Sequence, residues 1–403
     1  MPKFEQYSIR THMDRNTPTF ISLTGENSHK IVIPPGQGSF SIGTKNMSKG
    51  KYDVLVMEGS AINWDVFNEM YTPHGKQNAD RYPNGDWPRF FYYSGDDTGF
   101  IQWSEKRRIE NLNWAPIGPM RADLSKADIY ELSIHATANP IELILSENIK
   151  KLHLSGNLAN IQIKASPGTT LVQFAPDTGT AADNNYSLPE FPSLQIASSV
   201  HVDNTVIGAA VDCSSLLQFK NIQSLNLSGN ITNLQAIAQL HELEYLGLRT
   251  MPDLTGMPAL KIWQKLKSFI GWNIEETQGK ILQQELKKLL KEREMEYSSV
   301  SKLRKKIWFT TEYGIPFTNW EGKNAKIATK AYKSALKVIG KAKTEAEVEQ
   351  AIIELIDLIN TLSNIETVER EDTGTAVGQL VASSRLDLPQ ELAAQWFDDR
   401  RDF

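Results

Sequence analysis

At 403 residues, with 40% hydrophobic and 23% charged residues, the chain is long enough to bury more than one core and reads as two or three domains. A net charge of -5 and a pI near 5.9 exclude the basic excess expected of bulk electrostatic binding to nucleic acid. The single cysteine, Cys213, excludes an intrachain disulfide and is expected in the core.

The opening segment, MPKFEQYSIRTHMDRN, lacks the parts of a secretory signal, and no later run approaches 18 apolar residues. A cytoplasmic protein without a membrane partner is therefore expected. From 1 to about 120, short apolar stretches alternate with proline, glycine and asparagine. Phe20-Ile-Ser-Leu23, His29-Lys-Ile-Val-Ile33, Ser39-Phe-Ser-Ile42 and Tyr52-Asp-Val-Leu-Val-Met57 alternate as half-buried strands do, which predicts an antiparallel β-domain. Pro34-Pro-Gly-Gln-Gly38 reads as a turn, since a phosphate loop would open a helix and carry lysine before serine or threonine.

Between 64 and 114 lie Trp64, Phe67, Tyr71, Tyr82, Trp87, Phe90, Phe91, Tyr92, Tyr93, Phe100, Trp103 and Trp114. Core packing is their expected role, because small β-domains gain burial from large rings; an aromatic surface that stacks on sugars is the alternative. Asp96 and Asp97 read as a solvated turn, because calcium needs several more spaced oxygen donors.

The middle third repeats. Ile149-Lys-Lys-Leu152-His-Leu154-Ser-Gly-Asn157 and Ile222-Gln-Ser-Leu225-Asn-Leu227-Ser-Gly-Asn230 nearly duplicate one another. Weaker copies run Ile129-x-x-Leu132-x-Ile134, Phe191-x-x-Leu194-x-Ile196, Leu243-x-x-Leu246-x-Leu248 and Leu266-x-x-Phe269. A further turn fits near Thr169 to Phe174, and the step from 191 to 222 calls for an insertion. Copies start 20 to 23 residues apart elsewhere, and apolar residues at positions one, four and six would stack inward from neighbouring coils. Asn157 and Asn230 are expected to satisfy backbone groups where each coil bends.

These residues resemble the leucine-rich-repeat proteins, in a short, irregular, bacterial-type form, over about 125 to 275. The chain departs from the pattern where Arg249-Thr-Met251 replaces x-x-Asn, and where Gly271 stands at an apolar position with Asn273 one place early. The resemblance implies a parallel-strand solenoid whose outward positions three and five bind another protein. On the matched copies these are Lys151, His153, Ser224, Asn226 and Tyr245, with Arg249 just beyond, and the row continues through Ser268, Ile270 and Trp272. Aromatics and arginine are the usual energetic anchors of interfaces.

Beyond 276 the period becomes helical. Ile281, Leu282, Leu286, Leu289 and Leu290 predict an amphipathic helix over 278 to 297. A second runs from about 320 to Ile339. Thr344 and Glu347 cap a third, with Ala351, Ile352, Leu355, Ile356, Leu358 and Ile359 as its apolar face. Lys326, Lys330, Lys333, Lys337 and Lys341 read as a solvated face balanced by Glu345, Glu347, Glu349 and Glu354. Leu380, Val381, Leu392, Trp396 and Phe397 predict one or two more helices that close a bundle.

The fold expected is thus mixed α and β: an antiparallel β-domain over 1–120, a leucine-rich-repeat-like solenoid over 121–275 and a helical bundle over 276–403. The seven histidines show no metal-ligand spacing and no G-x-S-x-G elbow occurs, so neither cofactor nor metal is expected and no catalytic residue is assigned. The favoured function is an intracellular protein-binding module or scaffold, in its narrower form an antidote or immunity-like binder. Carbohydrate binding by the aromatic region and a hydrolase with carboxylates between β-domain and solenoid are the alternatives.

Overall fold

The computed structural model describes residues 19–34, 37–45, 47, 52–68, 88–178, 185–204, 209–311, 314–320, 322–386, 388–389 and 391–402. The described residues fall into two compact units, one within 1–45 and 53–306, the other within 46–52 and 307–403.

In the first unit, β1 (Thr19–Ser22) and β2 (Lys30–Ile33) pair antiparallel, as expected for the amino-terminal region. A twelve-stranded sheet then follows among the described residues. It is built from β3 (Ser39–Thr44), β4 (Val54–Val56), β5 (Phe90–Ser94), β6 (Ile109–Ala115), β8 (Ile129–Ala136), β10 (Lys151–Gly156) and β12 (Leu171–Pro176). β13 (Ser199–Asn204), β15 (Ser224–Gly229), β17 (Tyr245–Arg249), β18 (Ser268–Trp272) and β19 (Tyr297–Ser301) complete it. Its neighbours pair in parallel throughout, in chain order except that β4 lies outside β3.

β7 (Met120–Leu124), β9 (Ile141–Leu145) and β11 (Ile161–Ala165) form a second parallel sheet, and β14 (Val211–Asp212) pairs with β16 (Ile231–Thr232). From β6 to β11 each length of about 20 residues therefore adds one strand to each sheet. Leu132, Ile134, Leu152, Leu154, Leu143 and Leu124 are fully buried in one core with Val172, Val200, Leu225 and Leu246. Each such side chain contributes on the order of 1.5–3 kcal/mol of burial. Beyond β12, short 3₁₀ turns such as Cys213–Gln218 and Leu234–Gln239 close the return to the next strand.

Four departures from the sequence reading have physical causes. The strands read at 39–42 and 52–57 were expected to be antiparallel, but β3 and β4 join the long parallel sheet, and β6 pairs with β8 across position 120, where a domain boundary was expected. The copy at 191 is a turn, not a strand: Pro192–Leu194 is 3₁₀ and Ile196 is exposed, while Val200 and Val202 of β13 supply the inward pair. The helix expected to reach Tyr297 ends as α2 (Glu276–Glu292), and Tyr297–Ser301 becomes the edge strand of the sheet. Asn157 is exposed, while Asn204 binds bent backbone, donating to the Ala209 and Asn230 carbonyls at 3.0 and 2.7 Å, as Asn160 does to the Thr137 carbonyl.

The irregular unit at 266 is resolved by its neighbours. Ile274 packs at Gly271, where any Cβ would come within 3.0 Å of its Cδ1. Asn273 takes a left-handed φ of 54° and accepts from Arg304 Nε at 2.8 Å.

The aromatic residues of the first unit are mostly core. Trp64 touches Phe67, Phe91, Tyr93, Phe100 and Trp103 at ring separations of 5.7 to 6.0 Å, with Phe100 and Trp103 on α1 (Gly99–Ser104). Tyr92 is exposed, and Tyr71, Tyr82 and Trp87 lie outside the described residues.

After α3 (Lys306–Thr311), the helices α4 (Gly322–Ile339), α5 (Glu345–Asn360), α6 (Thr367–Ala382) and α7 (Glu391–Arg400) share a core that includes Tyr332, Ile352, Leu355, Leu380 and Trp396. Thr344 Oγ1 accepts from the Glu347 backbone while Glu347 accepts from the Thr344 backbone, a reciprocal cap on α5. Trp320 Nε1 donates to Asp372 at 3.0 Å, and burial holds that carboxyl above its ordinary range.

Candidate functional site

Strand alternation sends every second side chain of the long sheet away from the core, and the parallel register aligns them in rows. The first row runs Glu131, Lys151, Leu171, Ser199, Ser224, Tyr245, Ser268, Tyr297. Two residues further along come Ser133, His153, Gln173, His201, Asn226, Gly247, Ile270 and Ser299. The third row holds His135, Ser155 and Ala175, then Asp203, Ser228, Arg249, Trp272 and Ser301.

All nine residues singled out from the sequence stand on these rows: Lys151, Ser224, Tyr245 and Ser268 on the first, His153, Asn226 and Ile270 on the second, Arg249 and Trp272 on the third. Ser268 is buried and so offers little to a partner, Arg249 is exposed, and the other seven are half-buried. Lys151 Nζ is 3.4 Å from Glu131 and 5.7 Å above the Tyr130 ring, so its charge is already partnered.

Sequence reasoning missed the centre of the face. His201 Nε2 lies 2.9 Å from Asn226 Nδ2, an atom that only donates, so Nε2 accepts and the ring proton sits on Nδ1. Gly247 makes room for this pair, because a Cβ there would overlap Asn226 Oδ1. Burial lowers the pKa of His201, and the Arg249 charge lowers it further. Burial lowers that of His153 too, against the opposing pull of Asp203 and Glu131.

Burial raises the Asp203 carboxyl above its ordinary range, partly offset by a hydrogen bond from Ser228 and by His153. Among the described residues, Asp203 Oδ1 and His153 Nε2 are both buried without a hydrogen-bond partner. The signal for β13 was present as Ser199-Val-His-Val-Asp-Asn204, an alternation in phase with Leu152-His-Leu154. The apolar spacing at 191 to 196 competed with it.

At the carboxyl ends of β8, β10 and β12 a cavity of about 680 Å³ opens beside Asp203. His135, Thr137, Asn157 and Asp177 are exposed at it, and Ala136, Gly156, Ala175 and Pro176 bring small groups or backbone. His135 Nδ1 is 3.1 Å from Ser155 Oγ.

Other candidates are engaged elsewhere. Trp103 is buried and donates to Asn68 at 2.7 Å, so its ring faces no open surface. Asp96 accepts from the Ile117 and Gly118 backbone, and Asp97 from Trp64 Nε1 at 2.8 Å. β6 pairs directly with β8 at the junction where a groove between domains was expected. Among the described residues no group of three or more His, Cys, Asp and Glu is placed to hold a metal ion, and no helix is long and apolar enough to cross a membrane. Compared with protein-family models, with curated proteins and with solved structures, the chain has no match in any of the three.

Proposed function

We propose that this chain is a protein-binding module that uses the outward face of its long parallel sheet, read as the strand face of a leucine-rich-repeat-like solenoid. One observation carries this reading: nine residues chosen from repeat phase fall into three cross-strand rows on one face. Backbone groups inside the sheet are paired, so side chains do the recognising, and a paired sheet loses little freedom when a partner docks. Tyr245, Arg249 and Trp272 stand on the neighbouring strands β17 and β18, Arg249 beside Trp272 and Tyr245 at the other end of β17, and are of the residue types that usually anchor an interface.

The face is not sufficient alone. Eight strands at 4.8 Å and rows spanning four residues give about 440 Å², near half of one side of a standard interface. The loops at the carboxyl ends of the strands supply the remainder, which puts the cavity beside Asp203 inside the footprint.

The test is affinity capture from the cell of origin with the wild-type chain and with a folded Tyr245→Ala, Trp272→Ala variant. One stoichiometric protein retained by the wild type and bound at least about a hundredfold more weakly by the variant is expected. Equal retention by both, or none by the wild type, would overturn the reading. In the narrower, antidote or immunity-like form, the captured protein has an activity that this chain suppresses.

A further inference from the structure

In the second unit, a groove of about 420 Å³ lies between α4 and α5. Ala335, Ala351 and Leu355 form its buried floor, and Ile327 and Val338 of α4, both exposed, stand at its edge opposite Leu358 of α5. From Ile327 to Val338 the apolar edge covers about three helical turns, or about 16 Å. Lys330, Ser334 and Glu354 line the groove at exposed positions, and among the described residues no polar side chain belongs to its floor. A small molecule would find there none of the convergent polar groups that orient a ligand.

The charge beside the groove is one-sided. Lys326, Lys330 and Lys337 stand one residue before Ile327, Ala331 and Val338, so a lysine row runs alongside the apolar stripe, about a quarter-turn round α4. All three lysines are exposed, and none is in an ion pair among the described residues. Acidic side chains of α5 are engaged on their own helix: Glu347 closes its cap, and Glu354 accepts from Gln350 at 3.3 Å.

An apolar stripe flanked by a row of one charge is how one helix of a coiled coil selects a neighbour of the opposite charge. Nucleic acid would meet the lysines and leave Ile327 and Val338 in water. A flat membrane would not enter a space between two helices, and a second copy of this chain would bring the same lysine row against its own. We propose that the groove docks an acidic amphipathic helix of another protein, with its apolar stripe on Ile327, Ala331 and Val338 and its carboxylates along Lys326, Lys330 and Lys337. The site uses no residue of the sheet face and goes beyond the reading above.

The experiment titrates the full chain, labelled at isoleucine Cδ1 and alanine methyls, with a two-repeat peptide, acetyl-(Glu-Ile-Ala-Glu-Leu-Ala-Glu)-amide in the repeat. Its controls are a peptide with lysine for every glutamate, a scrambled peptide of the same composition without an apolar stripe, phosphatidylglycerol vesicles and oligo-dT. Saturable shifts of the Ile327 and Ala331 methyls are expected with the acidic peptide and with neither control peptide. Circular dichroism should show that peptide gaining helix on binding, since it is too short to be stably helical alone. Lys330→Glu with Lys337→Glu should weaken binding about tenfold, and Ser334→Trp, which fills the groove from an exposed position, at least as much. Both variants change exposed side chains, and either carries the test if the other does not fold.

No saturable shift with the acidic peptide, equal binding of the scrambled or lysine peptide, or wild-type affinity in either folded variant would overturn the proposal. Vesicles or oligo-dT shifting the same methyls at lower concentration than the peptide would assign the groove to lipid or nucleic acid and overturn it too. Peptide binding here with no protein captured by the sheet face would sink only the reading of the face. Capture sensitive to Tyr245→Ala with Trp272→Ala, with no peptide binding, would sink only the groove.

Discussion

Asp203 holds a carboxylate where burial disfavours its charge, with one oxygen unpaired among the described residues. Its native pKa lies above the unfolded value, so its stabilising contribution is complete below the ordinary carboxyl range and is lost as pH rises through the raised value. Near neutral pH the native state therefore carries a cost. Asp203→Asn should raise unfolding free energy by about 1 kcal/mol at pH 7, with the gain vanishing at a pH below the ordinary carboxyl range, in urea titrations. Equal or lower stability at pH 7 would mean that the carboxylate is satisfied.

Gly156 gives the opposite sign. A left-handed φ and contact with the Ala136 carbonyl make Gly156→Ala destabilising by about 2–4 kcal/mol in the same titration, and a change under about 0.5 kcal/mol would contradict the geometry. Neither effect was legible in the sequence. Asp203 lies on a strand that was read in another phase, and a glycine before asparagine looks like any turn. Cys213 was legible: it is buried in the core, and burial pushes its thiol up to about 12.

At the scale of elements, a signal survived in the sequence where one face is strongly apolar. Leu152 with Leu154 and Leu225 with Leu227 point inward exactly two residues apart, and both pairs were read correctly as strands. β19 was invisible because Tyr-Ser-Ser-Val-Ser offers one inward apolar residue, Val300, directly after an amphipathic helix. Edge strands are stabilised by a neighbour on one side only, and their own composition says little. The cap of α5 was legible because both partners of the box are local. Thr344→Ala should cost about 1 kcal/mol in the unfolding of the helical unit, with the long sheet unaffected by hydrogen exchange. No change in the helices, or loosening of the sheet, would contradict an independent cap.

At the scale of the molecule, the long sheet crosses position 120 without a break, although residue character changes there. β5 and β6 place Phe91, Tyr93, Leu112 and Trp114 at the inward positions that leucine and isoleucine fill later. Aromatic residues hide the repeat, since the pattern is defined by residue type while the sheet is defined by register. The 20-residue step from Asn111 to Glu131 equals that from Glu131 to Lys151, which is the trace the sequence retained.

What the register assembles is one outward face, mostly polar from β8 to β15 with Tyr245, Ile270 and Trp272 beyond, and its role in binding is the central claim. A photoreactive benzoylphenylalanine at Tyr245, compared with one at Ile281 on the exposed side of α2, tests it in the cell of origin. One discrete crosslinked protein from position 245 and none from position 281 is the expected result. No adduct at 245, or the same adduct from both positions, would contradict it.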